Sequence, residues 1–321
     1  MTRPVIVVLG ATGAQGGGVV RTLLADPQRC FAVRAITRRP DSAAARALAE
    51  AGATIAVADT DDGASLRSAF AGAHGLYAVT NFWEHFSPER ELQQAGNIAN
   101  AARDTGLAHV VWSTLEDTRE RVPLDDARMP TLMGRYKVPH FDTKGEANAI
   151  FRRLGVPTTL LYTSFYWDNL IHFGMAPQRG ADGRLAFVLP MGLAKLPGIA
   201  AADIGACAAA LFLRGESTLG TSVGIAGEHL NGAEMALSLS RVLGEPVSHL
   251  DLSPARYAAL GFPGAADLAN MFQYKHDFNT AYRARRPVAA TRELHPGLLD
   301  FNAWLDLHRT DLLRAVAAHD T

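Results

Sequence analysis

The chain has 321 residues, 48% of them hydrophobic and 20% charged, a composition that supports a large buried core and excludes disorder as the main state. Its 31 Lys plus Arg against 32 Asp plus Glu leave a formal net charge of -1, so no overall field exists for gripping nucleic acid or an acidic membrane surface. At a typical ~150 residues per domain, two domains are expected, or one α/β domain with a smaller appendage.

The two cysteines, Cys30 and Cys207, are far apart and unpaired in spacing, so neither a disulfide framework nor a cysteine zinc site is suggested. No two histidines stand at helical spacing beside a glutamate, so no metal is expected. The apolar run after Met1 is too short for a signal-peptide core, and the stretch Leu196 to Leu213 is broken by Asp203, which reads as the cap of a buried helix. A soluble, cytoplasmic protein is expected.

Short runs rich in Val, Ile and Leu alternate with helical patterns through the first half, the mark of a parallel sheet covered on both faces. Strands are predicted at Val5 to Leu9, Ala32 to Ile36, Thr54 to Ala58, Leu76 to Thr80, His109 to Ser113 and Thr158 to Tyr162. Helices are predicted at Gly17 to Ala25, Ala43 to Ala51, Pro88 to Thr105 and Phe141 to Leu154. Right-handed crossovers make this a doubly wound α/β sheet of the Rossmann type. After about Thr163 the alternation becomes irregular. A strand near Leu185 to Leu189, a helix opening at Asp203, a strand near Ser222 to Ala226, helices near Gly232 to Leu243, Pro254 to Leu260 and Ala265 to Phe278, and an amphipathic helix from Asp300 complete the chain. The predicted division is a nucleotide-binding domain over residues 1–163, to which later segments return, and a smaller, discontinuous α+β lobe over 164–321.

The glycine-rich turn Gly10-Ala11-Thr12-Gly13-Ala14-Gln15-Gly16 follows the first strand directly and opens a helix. Glycines at such a turn let backbone amides approach a pyrophosphate, and the helix N-terminus faces the anion. This context predicts dinucleotide binding. The second strand ends in Thr37-Arg38-Arg39-Pro40, about 20 residues further on, where NAD-binding chains normally place a carboxylate. Two arginines there suit a 2′-phosphate, which favours NADP(H). In Asp59-Thr60-Asp61-Asp62 a carboxylate or backbone group could approach the adenine, and an N-cap role for the following helix explains at least one of the acids equally well. Thr80 and Asn81 stand at the carboxyl edge of the fourth strand, where ribose or phosphate contacts are expected, with Phe82 and Trp83 beside them or covering the core.

Together with His140-Phe141-Asp142-Thr143-Lys144-Gly145-Glu146 and Tyr166-Trp167-Asp168-Asn169-Leu170, these segments resemble the NmrA-like family of atypical short-chain dehydrogenases/reductases, in order and over nearly the whole chain. The stretch from Leu260 to Phe272 resembles the branch that contains an NADPH-sensing redox sensor. The resemblance implies NADP(H) as cofactor, with contacts at Gly10, Ala11, Thr12, Gly13, Ala14, Gln15, Arg38, Arg39, Thr60, Asp61, Thr80, Asn81, Phe82, Lys144, Tyr166, Trp167, Asp168 and Asn169. Asp41-Ser42 stands where that branch tends to be more basic.

In ordinary short-chain dehydrogenases a tyrosine sits four residues before a lysine on one helix face, and the lysine lowers the phenol's pKa. Here the tyrosine position is His140, Lys144 is retained, and Ser113 holds the usual serine position. An imidazole can deliver a proton near neutral pH. Two readings therefore stand. One is an NADP(H)-binding redox sensor whose partner is a protein or a second copy of the chain. The other is an NADPH-dependent oxidoreductase acting on quinones or related small electrophilic acceptors. Gly220 to Gly224 spells a hydrolase-elbow pattern but precedes a strand-like run, and Arg283, Arg285 and Arg286 read as a solvated loop.

Overall fold

Between Val5 and Tyr162 the apolar runs become β1 (Val5–Val8), β2 (Ala32–Thr37), β3 (Thr54–Val57), β4 (Gly75–Ala78), β5 (His109–Thr114) and β6 (Thr158–Tyr162). All of them pair in parallel, in the order β3-β2-β1-β4-β5-β6, and Ser222–Gly224 completes a 7-stranded sheet beside β6. Every residue of β4 and β5 is buried, as expected of strands covered on both faces.

Five helices follow β1 to β5 in turn: α1 (Ala14–Ala25), α2 (Ala43–Glu50), α3 (Gly63–Phe70), α4 (Pro88–Asp104) and α5 (Pro139–Arg153). Ser42, Asp62 and Ser87 start α2, α3 and α4 by accepting hydrogen bonds from first-turn amides. Helix α3 is the helix expected after the acidic run, and Asp62 takes the capping role that was one of two readings of that run. Val7, Leu9, Phe70, Ile98, Trp112 and Phe151 belong to one buried apolar cluster on this sheet. The doubly wound sheet is thus the predicted one. Its order reverses between β1 and β4, and ligands of such sheets bind in the crevice outside the carboxyl ends of the strands at that point.

The computed structural model describes residues 3–318. They form two compact units. The first runs to Glu120 and adds Pro139–Thr163 and Ala202–Val223; the second holds Arg121–Val138, Ser164–Ala201 and the described residues from Gly224 on. The second unit contains two three-stranded sheets, one with Glu228–Leu230, Leu196–Ile199 and Phe165–Tyr166, the other with Val247–Leu250, Leu185–Val188 and Gln178–Arg179. Its helix Gly232–Leu243 opens on a reciprocal Asn231/Glu234 capping box and ends at Gly244, φ 78°. The segment 121–138 belongs here because its polar groups are satisfied here. Lys137 Nζ donates to the carbonyls of Asp126 and Met129, and Asn270 Nδ2 donates to those of Pro130 and Lys137.

Three local expectations are corrected. Arg283, Arg285 and Arg286 are not a solvated loop: Arg283 belongs to the helix Asn279–Ala284, and Arg286 is buried with its guanidinium 3.8 Å over the Tyr282 ring. Asp203 does not cap its helix: the helix begins at Ala201, Asp203 lies inside its first turn, and the Ala201 amide donates to Asp168 Oδ2 at 2.8 Å. The closing amphipathic helix is two helices, Phe301–Leu307 and Arg309–Ala317, because His308 leaves helical geometry between them. Among the described residues no helix is long and apolar enough to cross a membrane.

Candidate functional site

Gly10 leaves β1 with φ +62°, and Gly16 stands where a Cβ would come within 2.3 Å of the Gly10 carbonyl oxygen. Only glycine keeps this turn closed. Gly13, as N-cap of α1, offers no side chain to the first-turn amides, which lie at the positive end of the helix dipole. Backbone amides, a Cβ-free cradle and a helix N-terminus together fit a pyrophosphate group. Gln15 braces the turn from beneath: its Oε1 accepts from Tyr77 Oη at 2.6 Å and from Ser113 Oγ at 2.8 Å.

A cavity of about 170 Å³ opens at the carboxyl ends of the central strands. Among the predicted contacts it is lined by Gly10, Thr12, Arg38, Arg39, Thr60, Thr80 and Asn81. Ala11, Gly13, Ala14, Gln15, Asp61, Phe82 and Lys144 are not part of this lining. Asp61 is engaged instead by Arg90 and by Gln94 Nε2 at 2.9 Å. Its carboxyl is held below the usual range, chiefly by the Arg90 hydrogen bonds. Two acids that sequence reasoning passed over stand at the site. Glu84, in the single 3-10 turn Phe82–Glu84 after β4, lines the cavity and accepts from Arg38 Nη2 at 2.6 Å.

Glu91 lies below, on α4. Lys144 Nζ is 2.8 Å from Glu91 Oε1 and donates to Thr80 Oγ1 at 2.7 Å and to the Thr80 carbonyl at 3.1 Å, while Thr80 Oγ1 donates to the same Glu91 oxygen. On the other side, His85 Nε2 is 3.4 Å from Glu91 Oε2. His85 Nδ1 accepts from the Ser87 amide, which assigns the ring proton to Nε2, facing the carboxylate. Burial pushes the Glu91 carboxyl up, but Lys144, His85 and Thr80 outweigh it and hold it down at about 2. The retained lysine is thus committed to a buried carboxylate. One turn before it on α5, His140 is buried with its ring centroid 4.6 Å from Trp83 and 4.8 Å from Phe141.

Tyr166 to Asn169 lie in the second unit. The Trp167 indole is buried over Gly198, with Phe301 and Trp304 beside it at ring distances of 5.4 and 6.3 Å. Asp168 anchors Ala201, and Tyr166 and Asn169 are half-buried.

Glu91 was legible in principle, since it falls on the buried stripe of α4 with Pro88, Gln94, Ala95 and Ile98. A carboxylate at such a position calls for a cation. Glu84 carries no such mark, because its partner is 46 residues away.

A model of the NmrA-like family matches residues 2–305 of the chain. The NmrA-like family domain-containing oxidoreductase FrzB of Cladobotryum sp is 28% identical over 311 residues, which cover 89% of this chain and 88% of that protein. Among solved structures, that of NmrA, a negative transcriptional regulator, in complex with NAD aligns with a TM-score of 0.79 at 20% identity, covering 100% of this chain and 99% of that one. The NADPH-dependent quinone oxidoreductase of Escherichia coli, complexed with NADPH, aligns with a TM-score of 0.70 at 24% identity over 94% and 98% of the two chains.

Proposed function

The chain belongs to the NmrA-like family, and from that premise we propose that it binds NADP(H) in the cavity of its first unit and acts as a redox sensor. The observation that carries this reading is the convergence, at the switch point of the sheet, of the glycine turn, Arg38, Arg39, Thr80 and Asn81 on one cavity. In this reading the amides from Ala11 to Gln15 hold the pyrophosphate, Arg38 and Arg39 take the 2′-phosphate, and Thr60, Thr80 and Asn81 provide ribose and phosphate contacts. The cofactor would supply a hydride. What the chain adds to that is modest: the tyrosine position is an imidazole packed among aromatic rings, and Lys144 is tied to Glu91. A sensor needs no more than different affinities in two conformations. Its partner, in this reading, is a protein or a second copy of the chain.

Calorimetric titration tests the assignment. Arg38→Ala is expected to weaken NADPH roughly tenfold or more and NADH much less, because only the former brings a phosphate for bidentate pairing; equal losses would remove Arg38 from the site.

The position of His140 one turn from Lys144, within reach of an aromatic wall, favours a second reading as a reductase of quinones or similar electrophiles, and the relative named as an oxidoreductase supports it. Such acceptors need little general-acid help. Nicotinamide absorbance followed over a panel of quinones separates the two: tight NADPH binding without oxidation leaves the sensor, and steady turnover establishes the reductase.

A further inference from the structure

Where the end of β2 offers two arginines and no carboxylate, folding brings a carboxylate from elsewhere. Glu84, on the turn after β4, lies 2.6 Å from Arg38, and both side chains line the same cavity. We propose that Glu84 is a specificity-determining residue that sets the balance between NADP(H) and NAD(H), by holding Arg38 against a 2′-phosphate and by accepting the ribose hydroxyl that NAD(H) presents in its place. The proposal rests on the dinucleotide reading above.

The pair is built to exchange. Its side chains are 53% and 44% exposed, and an ion pair of that exposure is held weakly, so a phosphate that meets the guanidinium in bidentate fashion can displace the carboxylate. Displaced, Glu84 cannot go far. Its turn is fixed by ring contacts of Phe82 with Trp83 and with Phe86 and by the Ser87 amide on His85 Nδ1. Phe86 itself is held at φ 53°, a conformation a bulky side chain adopts only when its surroundings impose it. A carboxylate kept beside a bound phosphate repels it, whereas the same carboxylate beside an unphosphorylated ribose is an acceptor of the kind NAD-binding sites normally carry. The other acids near the cavity are engaged elsewhere: Asp59 by the Asp61 amide, Asp61 by Arg90 and Gln94, Asp62 as the cap of α3 and Glu91 by Lys144 and Thr80. Glu84 is therefore the carboxylate through which the nicotinamide dinucleotides are told apart.

The test is the ratio of NADPH to NADH dissociation constants, measured by calorimetry on the full chain and on Glu84→Gln, a substitution at an exposed turn. The ratio is expected to move about tenfold toward NADPH, through tighter NADPH and weaker NADH. In an Arg38→Ala background the gain for NADPH should largely disappear, since the cation for which the two anions compete is gone. A ratio unchanged within about twofold, with both dinucleotides still bound, overturns the role of Glu84 and leaves the cavity assignment standing. Uptake of neither dinucleotide by the unaltered protein overturns both.

Discussion

Two ion pairs in the same unit, Arg38 with Glu84 and Lys144 with Glu91, use the same chemistry in opposite surroundings. The first is half exposed on both sides; the second has side chains only 11% and 1% exposed, with Thr80 hydrogen-bonded to both partners and His85 Nε2 3.4 Å from the second carboxylate oxygen. Water already solvates both charges of the exposed pair, so breaking it costs little and a ligand can replace either partner. In the buried pair each charge depends on the other, and neither can be released without leaving an uncompensated ion in the core. One pair therefore suits discrimination, and the other suits holding Lys144 and Thr80 in place beside the cavity.

The largest effect expected from this contrast is on folding. Glu91→Gln should destabilise the protein by roughly 3–5 kcal/mol in urea unfolding, because Lys144 is left buried without its counter-charge. Replacing both residues, Glu91→Leu with Lys144→Met, should cost clearly less than the sum of the single changes. A loss below about 1 kcal/mol for Glu91→Gln would mean that the buried pair is no tighter than the exposed one.

The pH dependence sharpens the same contrast. Glu91 has a folded-state pKa depressed from 4.5 to about 2, so its contribution is fully present above 4.5 and is lost as pH falls toward 2. His109, buried against Thr159, is lowered from 6.5 to about 4, first by burial and then by the charge of His74. The unfolded chain takes up that proton first, so stability also declines as pH falls from 6.5 to 4, by an amount on the order of 3 kcal/mol. Unfolding curves of His109→Gln should lose the upper of these two windows and keep the lower; a decline that survives intact between pH 6.5 and 4.5 would assign it to other groups.

The smallest effect belongs to the exposed pair. Glu84→Gln should change stability at neutral pH by less than about 0.5 kcal/mol while altering cofactor preference. A loss of several times that size would show the Phe82–Glu84 turn to be part of the structural frame.

Local spacing was enough to read the first unit as alternating strands and helices, because periods of two and 3.6 residues and strand-ending glycines record the nearest neighbours of each residue. The turn from Gly10 to Gly16 was legible for the same reason: a strand before it, a helix after it and glycine where no Cβ fits. Helix α3 showed in that reading only through its acidic cap, since its eight residues bury only Leu66, Ala69 and Phe70. The break at His308 left no trace in the apolar pattern around it.

Which cation meets which carboxylate was settled by folding alone. Arg38 and Glu84 are 46 residues apart, and Lys144 is 53 from Glu91 and 64 from Thr80, the hydroxyl that joins them. No periodicity links such positions; they meet because parallel crossovers return β2, β4 and α5 to one end of the sheet. The same holds for segment 121–138, whose membership in the second unit rests on carbonyls satisfied by Lys137 and by a distant asparagine, Asn270. Residue type prescribes what a side chain can bind, and the topology of the chain selects the partner that comes within a bond's length.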